Sequence, residues 1–127
     1  MTVPKDALSL KARLYCGPEI AMGPGKASLL EAIATHGSIS AAGRALGMSY
    51  RRTWMLVDTM NRCWATPLVE TAAGGTQGGG ARVTDLGKTV LTHYRALEKR
   101  IEDAARDADW DALRAAMLVE PKESQKA

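Results

Sequence analysis

The stretch that decides the fold is GSISAAGRALGMSYRRTWMLVDTMNR, Gly37–Arg62. It reads as two helices joined by the turn Gly47-Met48-Ser49. Ser38 can cap the first helix, because its hydroxyl can accept from a backbone N–H that has no partner in the first turn. Ala41, Ala42 and Ala45 keep that helix thin, and Leu46 is expected to close its buried face. Gly47 supplies the positive-φ position at which a helix stops and the chain turns. Met48 is expected to plug the angle between the helices, and Ser49 to cap the second. A small residue, an apolar residue, glycine and an apolar residue at these offsets suit a helix-turn-helix packed at a steep angle. The turn aims Ser49, Tyr50, Arg51 and Arg52 outward from the start of the second helix.

That second helix is expected to end near Cys63, with Thr53, Leu56, Val57, Met60 and Trp64 facing the core. Arg51, Arg52, Met55, Asp58, Thr59 and Arg62 fall mostly on the other face, and the Trp54 ring is expected to pack inside. Upstream, Leu8, Leu10, Ala12, Leu14 and Cys16 alternate with polar residues, a period of two that predicts a half-buried strand over Leu8–Cys16. Gly17-Pro18 ends it, and Gly23-Pro24-Gly25 precedes a helix from about Lys26 to Thr35 whose apolar face is Leu29, Leu30, Ile33 and Ala34. Downstream, Pro67–Thr71 and Ala81–Thr84 read as two short strands around the glycine-rich tip Ala72–Gly80. A hairpin placed directly after a helix-turn-helix is a wing.

Thr84 is a plausible cap for a long helix carrying Val90, Tyr94, Leu97, Ile101, Ala104 and Ala108 at alternating spacings of four and three. Such a stripe suits pairing with another helix, and Tyr94, Leu97, Ile101, Ala104 and Ala108 are the candidate seam of a homodimer. Packing back onto the chain's own first helix is the other reading, the one that suits Leu86, Val90 and Leu91. Asp109 restarts a shorter helix with Trp110, Leu113 and Met117, and the tail from Pro121 is expected to be disordered. The expected fold is therefore mainly α with a small β-hairpin: a winged helix-turn-helix over 1–84, C-terminal helices over 85–118 for dimerisation, and a tail over 119–127.

Composition bounds the function. The 127 residues are 46% hydrophobic and 24% charged, as in ordinary globular domains. The net charge of +3 is unevenly spread: nine Lys/Arg face five Asp/Glu over 1–84, and eight face nine over 85–127. The basic excess travels with the helix-turn-helix, which suits a nucleic-acid partner but also many unrelated proteins. No apolar run is long enough to span a bilayer and the N-terminus lacks the apolar core of a signal peptide, so the cytoplasm is the expected compartment and no membrane partner is expected. Cys16 and Cys63 have no metal-ligand spacing and read as buried apolar positions. Gly25-Lys26 lacks the upstream glycine and following Ser/Thr of a phosphate loop, and His36 and His93 have no catalytic surroundings. No enzyme activity, cofactor or metal is expected.

The chemistry sits at the start of the second helix. An arginine fork matches O6 and N7 of guanine, and its charge suits phosphate. The candidate contacts to double-stranded DNA are Ser38, Ser49, Tyr50, Arg51, Arg52 and Met55 from the helices, with Thr76, Gln77 and Arg82 from the wing. Ser49 and Tyr50 can donate to phosphates, and Met55 can touch a thymine methyl. The plainer alternatives are a solvated arginine pair on an ordinary hairpin and a wing that touches nothing.

Taken together, GPGKASLLEAIATHGSISAAGRALGMSYRRTW (Gly23–Trp54), PLVE (Pro67–Glu70), GGTQGGGARVT (Gly74–Thr84) and DLGKTVLTHYRALE (Asp85–Glu98) resemble the N-terminal DNA-binding domain of the ModE family of molybdate-responsive transcription regulators. They are more distantly similar to the LysR-type winged helix-turn-helix. The resemblance implies a winged-helix dimer on a palindromic operator, with Tyr50, Arg51 and Arg52 on the reading helix and the Leu8–Cys16 strand within the domain. Members that sense molybdate carry a C-terminal oxyanion-binding module. The sequence ends at Ala127 without a second β-rich segment, so neither that module nor an oxyanion site is expected in it. The alternative function is a winged-helix interaction module that docks a separate effector-binding protein.

Overall fold

The computed structural model describes residues 2–72 and 80–126. A single-turn 3-10 helix, Lys5–Ala7, is followed by β1 (Leu14–Cys16), β2 (Glu19–Met22), α1 (Pro24–His36), α2 (Ile39–Ala45), α3 (Tyr50–Cys63), β3 (Val69–Thr71), β4 (Ala81–Val83), α4 (Asp85–Ala105) and α5 (Ala108–Ala116). This is a winged helix-turn-helix arrangement. The described residues divide into two compact units, Lys11–Ala96 and a smaller one joining Met1–Leu10 to Leu97–Ala127. The division falls inside α4 and not at Thr84, because Val90 and Tyr94 belong to the core of the larger unit.

In the larger unit each helix boundary is written in the sequence. Pro24 opens α1, where its missing N–H is no loss, and Gly37 ends it at φ 68°. The Ser38 hydroxyl accepts from the Ala41 N–H at 3.2 Å to cap α2, and the Ser49 hydroxyl accepts from the Arg52 N–H at 3.1 Å to cap α3. Gly47, at φ 71°, makes the turn between them. The two helices touch at Gly43, where a Cβ would overlap the Thr53 side chain. Ile39 and Ala42 of α2 and Val57 and Met60 of α3 join Leu29, Leu30 and Ile33 of α1 in one apolar cluster. Leu46 and Ala34, expected in that cluster, are exposed, because α1 and α2 turn those faces to solvent.

The strand expected over Leu8–Cys16 is shorter. Burial does alternate from Leu8 to Tyr15, but only Leu14–Cys16 has a hydrogen-bonded partner, the unanticipated β2. Alternating burial needs an extended chain, not a ladder. The β1–β2 register shifts between Leu14 and Tyr15 and leaves Cys16 exposed. Cys63 is half-buried, so neither cysteine is the buried apolar position expected. Partial burial and a hydrogen bond with Cys16 push the Cys63 thiol above its usual range.

The wing strands β3 and β4 pair antiparallel, Glu70 opposite Arg82. Asn61 of α3 anchors their base: its carbonyl oxygen accepts from the Leu68 and Val69 N–H groups at 2.9 and 3.1 Å, and its amide donates to Val69 O at 3.0 Å. Thr84 accepts from the Gly87 N–H at 3.0 Å, the cap expected for α4. Tyr94, expected in a seam between copies, is only 2% exposed and donates to Ala12 O at 2.6 Å. Its ring is core, which removes it from any such seam.

In the smaller unit two arginines tie down the N-terminal segment. Arg114 donates twice to Val3 O, at 3.0 and 2.6 Å, and Arg106 donates to Lys5 O and Leu8 O at 3.3 and 3.2 Å. Asp107 caps α5 through the Asp109 N–H, and Trp110 is buried. Ile101, Leu113, Met117, Leu118 and Val119 are exposed. Among the described residues no helix is long and apolar enough to cross a membrane.

Candidate nucleic-acid interface

The face of α3 that the core does not use is a groove of about 270 Å³ lined by Ser49, Arg51, Arg52, Met55, Leu56 and Thr59. The core takes Thr53, Val57 and Met60, so the intervening positions must project. Four of the candidate contacts, Ser49, Arg51, Arg52 and Met55, are thereby brought together. Among the described residues neither the Arg51 nor the Arg52 guanidinium has a hydrogen bond or ion pair, so both forks are available. Thr59 joins them without having been anticipated as a contact; its hydroxyl donates back to Met55 O at 3.0 Å.

Tyr50 is 68% exposed at the head of α3. Its ring tilts against Trp54, with centroids 6.0 Å apart and planes at 55°. Trp54 is therefore not inside, as expected, but 37% exposed: one turn along from Tyr50, it packs on that ring instead of the core. The Ser38 and Ser49 hydroxyls already accept from helix N–H groups, which fixes their side chains but leaves each with a hydrogen to donate.

On the wing, Arg82 pairs with Glu70 at 2.7 Å across the two strands, both side chains largely exposed. It is on the surface as expected, with its charge offset by a neighbour the sequence reading did not link to it. Thr76 and Gln77 lie outside the described residues. Farther along α3, Arg62 is matched by Asp58 at 2.9 Å, and that hydrogen bond raises the Arg62 pKa. The unpaired positive charge is thus at the N-terminal half of the helix.

Sequence reasoning missed three further cations. Lys11 and Arg13, from the extended segment before β1, and Lys26, from the first turn of α1, share a second cavity with Arg52. Lys11 and Arg13 were readable as the outward side of the alternating segment. Lys26 carried no signal, because lysine is ordinarily a surface residue and this one is buried. Among the described residues no group of three or more His, Cys, Asp or Glu is placed to hold a metal.

Residues 26–88 match the family described as bacterial regulatory helix-turn-helix protein, lysR family. The molybdenum-pterin-binding protein MopA of Rhodobacter capsulatus is 43% identical over 83 residues, covering 65% of this chain and 31% of its own. The molybdenum transport protein ModE of Azotobacter vinelandii is 46% identical over 76 residues, covering 60% and 28%. The DNA-binding transcriptional dual regulator ModE of Escherichia coli K12 is 37% identical over 108 residues, covering 84% and 38%. The chain spans about a third of the length of the curated relatives it matches.

Proposed function

We propose that the chain, whose residues 26–88 match the lysR family of bacterial regulatory helix-turn-helix proteins, is a sequence-specific DNA-binding transcription regulator of ModE type. The observation that carries this reading is the outer face of α3, where two unpaired arginines, a methionine and a serine-capped N-terminus share one groove. Inserted in a major groove, Arg51 and Arg52 can each bond a guanine edge or a phosphate. Tyr50 and Ser49 bond phosphates beside it, and Arg82 supports from the wing once it leaves Glu70.

The double substitution Arg51→Ala, Arg52→Ala tests the assignment. Operator affinity should fall by about two orders of magnitude or more, since each good bidentate pair contributes roughly 1–3 kcal/mol. Circular dichroism should be unchanged, because both side chains are exposed. Fragments selected by the purified protein supply the operator. Undiminished affinity in the double variant would remove this mechanism.

The exposed apolar residues of the smaller unit favour a second component, association through protein. We assign Leu97, Ile101 and Ala104 of α4 to a homodimer contact, which would present two copies of α3 to a two-fold symmetric operator; Ala108, expected on the same helix, instead opens α5 behind the Asp107 cap and falls outside that stripe. The competing use of that surface is docking a separate effector-binding protein. Retention on random duplex DNA at low salt separates the readings: a dimer with none would be an interaction module.

A further inference from the structure

Cys16 ends β1 and Cys63 ends α3, and their side chains are in hydrogen-bond contact within the larger unit. The backbone holds that contact from both sides. Cys16 is paired in register with Glu19 across the Gly17-Pro18 turn, which fixes it to β2. Trp64, the residue after Cys63, donates its indole N–H to Ala21 O of the same strand at 3.1 Å. Both cysteines are thus attached to β2, and the fold itself brings them together.

The two thiols are unlike. Cys16 is exposed, whereas Cys63 is half-buried. A free cysteine is ordinarily among the most buried residues, so an exposed one touching a second is unusual. Burial, then the hydrogen bond with Cys16, raises the Cys63 pKa, and Arg62 only partly opposes this. The thiolate is the nucleophile, so Cys16 is the thiol that an incoming reagent meets first. Among the described residues the pair is not part of any group of three or more His, Cys, Asp or Glu that could hold a metal ion.

We propose that Cys16 and Cys63 form a dithiol modification site, which a small disulfide of the glutathione class converts to an intramolecular disulfide. The Cys16 thiolate attacks one sulfur of the small disulfide. A new S–S bond forms, the old one breaks, and one small thiolate leaves and takes up the proton that Cys16 gave up. The Cys63 thiolate then attacks Cys16 Sγ, and the second small thiolate leaves with the Cys63 proton. Two protein thiols are oxidised, and one small disulfide is reduced to two thiols. Among the described residues β1 has only β2 beside it, so Cys16 can move from thiol contact to bond length without breaking a second ladder. The product closes a covalent loop over 16–63, which holds α1, α2 and α3. Such a loop restricts the unfolded chain, so oxidation stabilises the larger unit. DNA takes no part in this chemistry.

The test equilibrates the full chain with mixtures of reduced and oxidised glutathione, in native buffer and in urea, and reads the closed disulfide by peptide mapping. At equal glutathione, the ratio of closed to open protein should be about a hundredfold higher in the folded than in the unfolded chain. By the same thermodynamic cycle, the closed protein should melt about 5 °C or more above the reduced one. Cys63→Ser should stop at a mixed disulfide on Cys16, and should form it faster than Cys16→Ser forms one on Cys63. Equal closure in folded and unfolded chains, disulfides only between separate chains, or glutathione left on Cys16 of the wild type would each overturn the proposal. Faster reaction of Cys16→Ser than of Cys63→Ser would overturn the order of attack. The wild-type measurements need no substitution, so they decide the matter even if a variant fails to fold.

Discussion

Two glycines in the helix-turn-helix illustrate different physical demands made by one residue type. Gly47 has φ 71° and open space where a Cβ would go. Gly43 has ordinary helical backbone but no room, since a Cβ would overlap Thr53 of the facing helix. Gly47→Ala should therefore cost about 1 kcal/mol through backbone strain, and Gly47→Asn less, because asparagine tolerates the left-handed region. Gly43→Ala should cost about 1–3 kcal/mol through overpacking, and Gly43→Asn more. Urea denaturation of the four variants checks the crossed order; equal rescue by asparagine at both sites would refute it. Lys26 makes a second demand at this scale. Its folded-state pKa lies below 10.5, so just below that pH the unfolded chain binds more protons than the folded one. Stability should then rise as pH climbs through the window from the lowered value to 10.5. Subtracting the same pH series for Lys26→Met removes the other titrating groups and isolates that rise.

At the scale of elements, legibility followed the length of the signal. The helix-turn-helix was readable because Ser38, Gly47 and Ser49 each satisfy a local rule that no tertiary contact overrides. The outer positions of α3 were readable for the same reason, since the core face alternates regularly. What failed was whatever needed a partner distant in sequence. Glu19–Met22 is too short to announce itself as a strand, and the alternation of Leu8–Tyr15 reports burial without pairing. Trp54 is the exception, since its partner is local: it was misplaced because the Tyr50 ring, four residues back on the same helix, receives it instead of the core. Asn61 was invisible too, as a polar residue on an apparently solvent-facing row. Its amide nevertheless satisfies three backbone groups of the chain entering the wing. Asn61→Ala should cost about 2–4 kcal/mol, because part-buried N–H and C=O groups are left unpaired. Hydrogen exchange should show Leu68 and Val69 losing protection before the α1 amides do. If instead all amides lose protection equally, the wing base is not an independent element.

For the whole molecule, charge is sorted along the chain, whereas exposed apolar surface is shared between its two units. Residues 1–84 carry the basic excess, while 85–127 are slightly acidic overall. Of the exposed large apolar residues, Tyr15, Leu46, Tyr50, Trp54 and Met55 lie in the larger unit and Ile101, Leu113, Met117, Leu118 and Val119 in the smaller. Tyr94 and Val90 are spent on the core of the larger unit, so only the later part of the α4 stripe is left for a partner. If that stripe joins two copies, Ile101→Asp should shift sedimentation equilibrium from dimer to monomer without altering circular dichroism, since the side chain is already 37% exposed. Affinity for a two-half-site operator should fall by a hundredfold or more, while affinity for an isolated half-site stays within about twofold, because only the intramolecular second contact is lost. An Ile101→Asp protein that remains dimeric places the contact elsewhere. A wild-type protein that is monomeric at all concentrations leaves the apolar surface to a different protein, and the two-site advantage disappears with it.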